Sequence, residues 1–159
     1  MLSQPEKQHE WLKQLVGEWT CEGECFMGPD QPPMKNKGTE RVAMLGDLWV
    51  ILEGKGEMPD GGAMESRMTV GYDPTKKKFV GTWIGSPMAH LFVYEGELDA
   101  TGKVLPLKTM GPSFMDPTKL VEYHDVIEIT GPNERLLWSQ TQGPDGKWMK
   151  FMTMRYTRV

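Results

Sequence analysis

A carboxylate at an apolar position is the strongest sign of chemistry in this chain. Asp125 alternates with Tyr123, Ile127 and Ile129 in a run of strand periodicity, which directs its side chain toward the core. An unpaired buried carboxylate costs several kcal/mol, so we expect a partner such as a tyrosine hydroxyl or an arginine. Two interpretations follow. Asp125 is an enzyme's acid or base with Tyr123 or His90 as its partner, or it belongs to a structural ion pair, which is more common.

The three histidines differ in their predicted surroundings. His9 falls on a short helical segment and is predicted to face solvent, whereas His124 lies on the more polar face of its strand. His90 alternates with apolar residues and is the one histidine predicted to face the interior. Haem bound through His90 is an alternative for this position. A lone histidine on an apolar face is more often a core residue, so no cofactor is predicted.

Motifs of other chemistries are absent from the sequence. There is no HExxH, EF-hand, CxxC, P-loop or dinucleotide motif, so no metal site is predicted. Ser86 lies near a turn without the surroundings of a nucleophilic serine. Cys21 and Cys25 lie four positions apart on one predicted strand, about 13 Å from each other, which is too far for a disulfide. Free thiols suit a reducing compartment, and a cytoplasmic location is expected.

Charge and hydropathy exclude two classes of partner. The net charge is −4, and the one lysine run, Lys76-Lys77-Lys78, follows Asp73-Pro74 and is predicted to be a solvated hairpin tip. A nucleic-acid partner is therefore not expected. No stretch approaches the roughly 20 apolar residues of a membrane-spanning helix, so no membrane span is predicted.

The periodicity of apolar residues changes once along the chain. Residues Glu6 to Leu15 place apolar side chains on one helical face, and Gly17 ends this short helix. The period then becomes two, with one side of the first strand formed by Trp19, Cys21, Cys25 and Met27. Turn signals such as Gly28-Pro29-Asp30 and Pro59-Asp60-Gly61-Gly62 recur about every ten residues. About ten strands fit between them.

This pattern predicts an all-β fold, an antiparallel up-and-down β-barrel of about ten strands with one short N-terminal helix. No alternating helices could cover a parallel sheet. A chain of 159 residues fits one domain, spanning residues 1–159. Gly17 permits a tight turn from helix to strand, and Trp19 is predicted to plug one barrel end. Arg158, on the last strand, is predicted to lie over the Trp19 ring by a cation–π contact.

Several sequence blocks together resemble a known family. The chain is similar to an uncharacterised bacterial family of unknown function that is grouped with the calycin-like, or lipocalin-like, barrels. This resemblance runs over essentially the whole chain and implies a barrel but no established activity. The only residue roles that it implies are the structural ones of Gly17, Trp19 and Arg158. The blocks that carry it are Leu15-Val16-Gly17-Glu18-Trp19, Gly38-Thr39-Glu40, Gly54-Lys55-Gly56-Glu57-Met58-Pro59, Gly71-Tyr72-Asp73-Pro74, Gly81-Thr82-Trp83, Tyr94-Glu95-Gly96, Gly111-Pro112-Ser113, Tyr123-His124-Asp125-Val126-Ile127-Glu128 and Pro144-Asp145-Gly146-Lys147-Trp148.

The predicted function is binding of a small, largely apolar molecule in the barrel lumen, as a carrier or sensor. Two alternatives stay open: an enzyme that uses Asp125 in the lumen, and a packed barrel that acts as a protein interaction module. Whether the protein forms a homo-oligomer is also left open. The residues predicted to converge on the lumen are Met68, Trp83, His90, Phe92, Tyr94, Met110, Tyr123, Asp125 and Met154.

Overall fold

The computed structural model describes residues 2–26, 28, 30–58 and 61–159. Met27 and the predicted turn residues Pro29, Pro59 and Asp60 lie outside this described part. The helix α1 spans Lys7–Leu12 and continues as one 3-10 turn, Lys13–Leu15. The strands are β1 Gly17–Cys25, β2 Met34–Leu45, β3 Trp49–Glu57, β4 Ala63–Asp73, β5 Lys78–Gly85, β6 Phe92–Gly96, β7 Val104–Pro112, β8 Leu120–Gly131, β9 Glu134–Gln142 and β10 Trp148–Arg158.

The ten strands form a closed antiparallel barrel with up-and-down topology. Each strand pairs with its neighbour in sequence, and β1 pairs with β10, with Trp19 opposite Arg158 and Cys25 opposite Met152. Alternation between inward and outward side chains, together with short turns, favours this architecture because closure leaves no unpaired sheet edge. The predicted fold class is confirmed.

The helix covers one end of the barrel, which we call the closed end. The Trp11 indole donates to the Gly102 carbonyl at 2.7 Å and packs edge-on against Phe79, so α1 is held against the turn between β6 and β7. His9 is 2% exposed, and the prediction that it faces solvent was wrong. Its ring accepts from the Glu6 amide and meets the Tyr72 carbonyl at 3.1 Å, so both ring nitrogens have partners and burial is tolerated.

The core fills the half of the barrel next to the helix. Most inward-facing residues of this half are almost fully buried, at 0 to 6% exposed. They include Leu12, Leu15, Trp19, Val42, Val50, Leu52, Val70, Phe79, Leu105, Leu107, Ile127 and Tyr156. Within the described residues no helix has the length and hydrophobicity to cross a membrane.

The hydrogen-bonded ladder between two neighbouring strands of the barrel is unusually short. The ladder between β6 and β7 contains two residue pairs, Glu95 with Lys108 and Gly96 with Leu107, whereas β7 pairs with β8 from Val104 to Pro112. The strand β6 is itself short and covers only Phe92–Gly96. The two strands therefore separate toward the end opposite the helix, which we call the open end.

Candidate functional site

The open half of the barrel has inward-facing side chains that solvent still reaches. Strand register places these residues on the inner face, yet they are half-buried, unlike most of those of the closed half. Solvent therefore reaches part of the inner face in this half. The residues are Cys25, Met34, Asn36, Met64, Ser66, Trp83, Phe92, Met152 and Met154.

Asp125 lies on the inner face of β8, where two hydroxyls bind it. The Tyr94 hydroxyl donates to one carboxylate oxygen, and Ser139 Oγ donates to the other at 2.5 Å. Burial raises the pKa of Asp125, although the hydrogen bonds from Ser139 and Tyr94 oppose that rise. Burial and the neighbouring Asp125 carboxylate also raise the pKa of Tyr94 well above its ordinary value. The expected tyrosine partner is thus Tyr94.

The two partners named for the enzyme alternative are engaged elsewhere. The Tyr123 hydroxyl donates to the Pro112 carbonyl at 2.6 Å. His90 Nε2 lies 2.8 Å from the Met110 carbonyl oxygen, and its ring packs edge-on against Phe92 at 4.7 Å. His90 therefore bridges the separated ends of β6 and β7. The partners that hydrogen-bond Asp125 are Tyr94 and Ser139, so the pairing with Tyr123 or His90 was wrong.

Met110 does not belong to the lumen. Register on β7 places Thr109 opposite Tyr123 on the inner face, so Met110 points outward and is 46% exposed. The prediction that Met110 is directed toward the core was wrong. Both faces of β7 carry apolar residues, with Val104 and Pro106 sharing the outer face, so hydropathy could not separate them.

Five other residues predicted for the lumen face inward. Met68 is 4% exposed and Tyr94 is 1% exposed, so both belong to the floor of the open half. Trp83 and Phe92 are half-buried and pack edge-on, with ring centroids 5.7 Å apart. Met154 is half-buried on the inner face of β10. Their role in binding stays a prediction.

A buried ion pair, which sequence reasoning missed, also lies inside the barrel. The Arg135 guanidinium binds the Glu40 carboxylate, and the two side chains are 1% and 10% exposed. Burial raises the pKa of Glu40, while the Arg135 charge opposes the rise. Arg135 Nε lacks a hydrogen-bond partner among the described residues. The sequence signal that could have revealed the buried Glu40 is strand parity, because Glu40 alternates with Gly38 and Val42 on the inner face of β2.

Trp19 plugs the barrel at the closed end. The Arg158 guanidinium lies 4.2 Å from the ring centroid, which is the contact that the sequence predicted. Arg135 lies against the same ring at 4.7 Å, and the indole donates to the Leu15 carbonyl at 2.9 Å. Gly17 has φ 140°, and a Cβ there would collide with the Arg158 guanidinium, so glycine is required at this position.

The inner face of β1 carries the cysteines. Cys21 is a free thiol opposite Tyr156, and burial raises its pKa to about 11, so it stays protonated near neutral pH. Cys25 lies four positions further along the same strand, next to Met152. Over the described ranges, no cluster of three His, Cys, Asp or Glu side chains could hold a metal ion.

Together, the closed ten-stranded barrel, the helix over one end and the open inner face define a lipocalin-like barrel. The chain belongs to the family described as "Protein of unknown function (DUF1579)", which matches residues 4–158. No curated protein matches the chain.

Solved structures with the same fold have low sequence identity. Rv2717c from M. tuberculosis is 13% identical with a TM-score of 0.67, and the match covers 98% of this chain and 99% of that one. The S-type phycobiliprotein lyase CPES from Guillardia theta is 11% identical with a TM-score of 0.63, covering 99% and 98%. EF1p2_mFAP2b bound to DFHBI is 11% identical with a TM-score of 0.51, covering 95% and 98%. These similarities show the fold alone.

Proposed function

We propose that the protein binds a small, largely apolar molecule in the open half of its barrel and acts as a carrier or sensor. The observation that carries this proposal is the contrast between the two halves of the inner face. Most inward residues near the helix are almost fully buried, whereas Trp83, Phe92 and Met154 face inward and remain half-buried. Apolar walls with a few polar groups are typical of small-molecule pockets, and flexible methionines adapt to irregular ligands.

The polar groups of the inner face restrict the polar end of the ligand. Asp125 is an acceptor, and the Arg135 charge is already paired with Glu40. Each Asp125 oxygen accepts one hydroxyl and has a second lone pair for another donor. A ligand that carries an N–H or O–H donor therefore fits this floor better than a free carboxylate.

The structural neighbours support the capacity of this architecture for small molecules. One of them, EF1p2_mFAP2b, is bound to DFHBI. The compartment of the proposed carrier is the cytoplasm, because a free thiol such as Cys21 suits a reducing environment.

Titration with N-phenyl-1-naphthylamine, an apolar fluorescent probe with one N–H donor, tests the proposal. We expect saturable enhancement of its emission with the native protein. Trp83→Leu should weaken binding by about tenfold because it removes an aromatic wall of the lumen. Lys77→Ala, in the exposed turn before β5, is the matched control and should bind as the native chain does.

Two outcomes would reject lumen binding. One is a linear, non-saturable response to the probe. The other is an equal affinity in Trp83→Leu and Lys77→Ala, which would place the probe outside the barrel mouth.

A further inference from the structure

Asp125 is a carboxylate of the inner face that lacks a cationic partner. Among the described residues, the inner faces of the ten strands carry two acidic side chains, Glu40 and Asp125. Arg135 neutralises Glu40, whereas Asp125 is bound by the neutral hydroxyls of Tyr94 and Ser139. No Lys, Arg or His nitrogen of the described chain forms an ion pair with Asp125. Its hydrogen bonds are therefore partly met, but its negative charge is not.

Two basic side chains that could be expected to neutralise Asp125 are directed elsewhere. His124 precedes it on β8 and faces the outside, where its ring stacks on Trp148. A protonated His124 lowers the pKa of Asp125, but it does so from the other side of the sheet. Arg158 lies at the closed end, where its guanidinium donates to the Gln14 carbonyl at 3.0 Å. Neither side chain supplies a cation to the lumen beside Asp125.

The Asp125 carboxylate remains within reach of a ligand. Tyr94 and Ser139 are 1% and 3% exposed, whereas Asp125 is half-buried on the inner face. Asp125 is therefore the member of this trio that solvent reaches. Each of its oxygens keeps a second lone pair beside the hydroxyl that it accepts. A donor that enters from the open half can bind there while both hydroxyls stay in place.

Aromatic rings occupy the inner face between Asp125 and the open end. Tyr123 lies one inward position nearer the open end on β8. Trp83 and Phe92 pair across β5 and β6 at the next inward level above Tyr94. The face of an aromatic ring attracts a cation, and the same ring buries apolar surface. These rings therefore suit a molecule that is both apolar and positively charged.

We propose that the apolar molecule bound in the lumen is an amine, held as its ammonium cation with the positive charge beside Asp125. This assignment rests on the proposed lumen binding and names the class of its ligand. The ammonium donates N–H bonds to the free lone pairs of the Asp125 oxygens, and the apolar part lies against Trp83 and Phe92. A buried carboxylate without a cation is costly, so the ligand supplies the charge that the chain does not.

Three naphthalene compounds with the same ring system and different charges test this proposal. They are 1-naphthylmethylamine, a cation at neutral pH, 1-naphthalenemethanol, a neutral O–H donor, and 1-naphthoate, an anion. Calorimetry at neutral pH measures the affinity of each for the native protein. We expect the amine to bind about tenfold more tightly than the alcohol, and the carboxylate to bind more weakly than either.

Methionine methyl NMR locates the bound amine. Met64, Met152 and Met154 face inward, whereas Met110 faces outward. We expect the amine to shift inward methyl signals saturably and to leave the Met110 signal unchanged.

Asp125→Asn keeps the shape of the side chain and removes its charge. It should abolish most of the preference for the amine over the alcohol while leaving the affinity for the alcohol within about threefold of the native value. The preference is a ratio measured within one protein, so a general change in the shape of the lumen affects both compounds. Asp99→Asn removes an exposed carboxylate from the turn between β6 and β7, and this matched control should keep the native preference.

Equal affinities of the native protein for the amine and the alcohol would overturn the proposal, whether or not Asp125→Asn folds. An unchanged preference in Asp125→Asn would also overturn it, as would an amine response confined to Met110. If N-phenyl-1-naphthylamine still binds saturably, these results reject the amine and leave lumen binding intact. A non-saturable response to that probe rejects the proposed function itself.

Discussion

Arg135 crosses two strands inside the barrel to reach Glu40. These residues lie on β9 and β2, and β10 and β1 run between them. On its way the guanidinium passes over the rings of Tyr156 and Trp19, at 4.0 and 4.7 Å from their centroids. One side chain therefore contacts three other strands around the closure of the barrel.

Arg135→Met should reduce the free energy of unfolding by about 3–5 kcal/mol, because it leaves the Glu40 carboxylate buried without its cation. Urea denaturation measures this change. The double variant Arg135→Met/Glu40→Leu removes both charges and should recover much of the loss. A double variant as unstable as the single one would attribute the stability to stacking on the two rings instead.

Trp19→Ala should cost about 3–5 kcal/mol, as for a large core aromatic. The ring is 2% exposed and supports both Arg135 and Arg158. Thermal unfolding compares it with Trp49→Ala, whose indole lies on the outer face of β3 and is 39% exposed. The Trp49 variant should lose less stability, and a native thermal midpoint in Trp19→Ala would contradict the assigned role.

Asp125 should make stability fall as pH rises. Burial raises its pKa above the ordinary value of 3.8, so the folded protein keeps a proton that the unfolded chain releases. The stabilising contribution is present below 3.8 and is lost as pH rises through the folded-state pKa. Asp125→Asn removes this titration, so the stability of the native protein relative to the variant should decline across that window.

The control residue for this pH profile is Asp99, for which the change of stability with pH should have the opposite sign. A hydrogen bond from Thr101 lowers the pKa of Asp99, so the native advantage over Asp99→Asn should grow as pH rises through the acidic range. Urea denaturation between acidic and neutral pH measures both differences. Parallel profiles for the native protein and Asp125→Asn would contradict a raised pKa of Asp125.

Thr109→Val should leave the ligand-free protein at least as stable as the native chain, with a gain on the order of 1 kcal/mol, because it removes a buried hydroxyl without a partner. Thr141→Val is the matched control: both threonines flank Tyr123, but Thr141 Oγ1 donates to the Glu122 carbonyl at 2.9 Å. The Thr141 variant should lose stability in urea denaturation. Equal losses in both variants would mean that the Thr109 hydroxyl is satisfied in solution.

The barrel was predictable because its determinants are local. Strand periodicity and regular turn signals are properties of short segments, and they were enough to predict the ten-stranded closed barrel. The contact between Trp19 and Arg158 also followed, since it needs only that the first and last strands pair with the right parity.

The partners inside the barrel were less accessible to sequence reasoning. Parity correctly directed Asp125 inward, but choosing Tyr94 over Tyr123 requires knowing that the side chain reaches across β7. The pairing of Arg135 with Glu40 depends on closure in the same way. His9 was misjudged because its burial rests on the Tyr72 carbonyl, which lies 63 positions along the chain.

The pairing of β1 with β10 has a consequence for synthesis on the ribosome. Trp19 on β1 pairs with Arg158 on β10, so the barrel cannot close until β10 has emerged from the ribosome. During that interval β1 and the most recently made strand both present open edges, which are templates for pairing with other chains. Loss of β10 from a truncated product would make that exposure permanent, and such a product should aggregate.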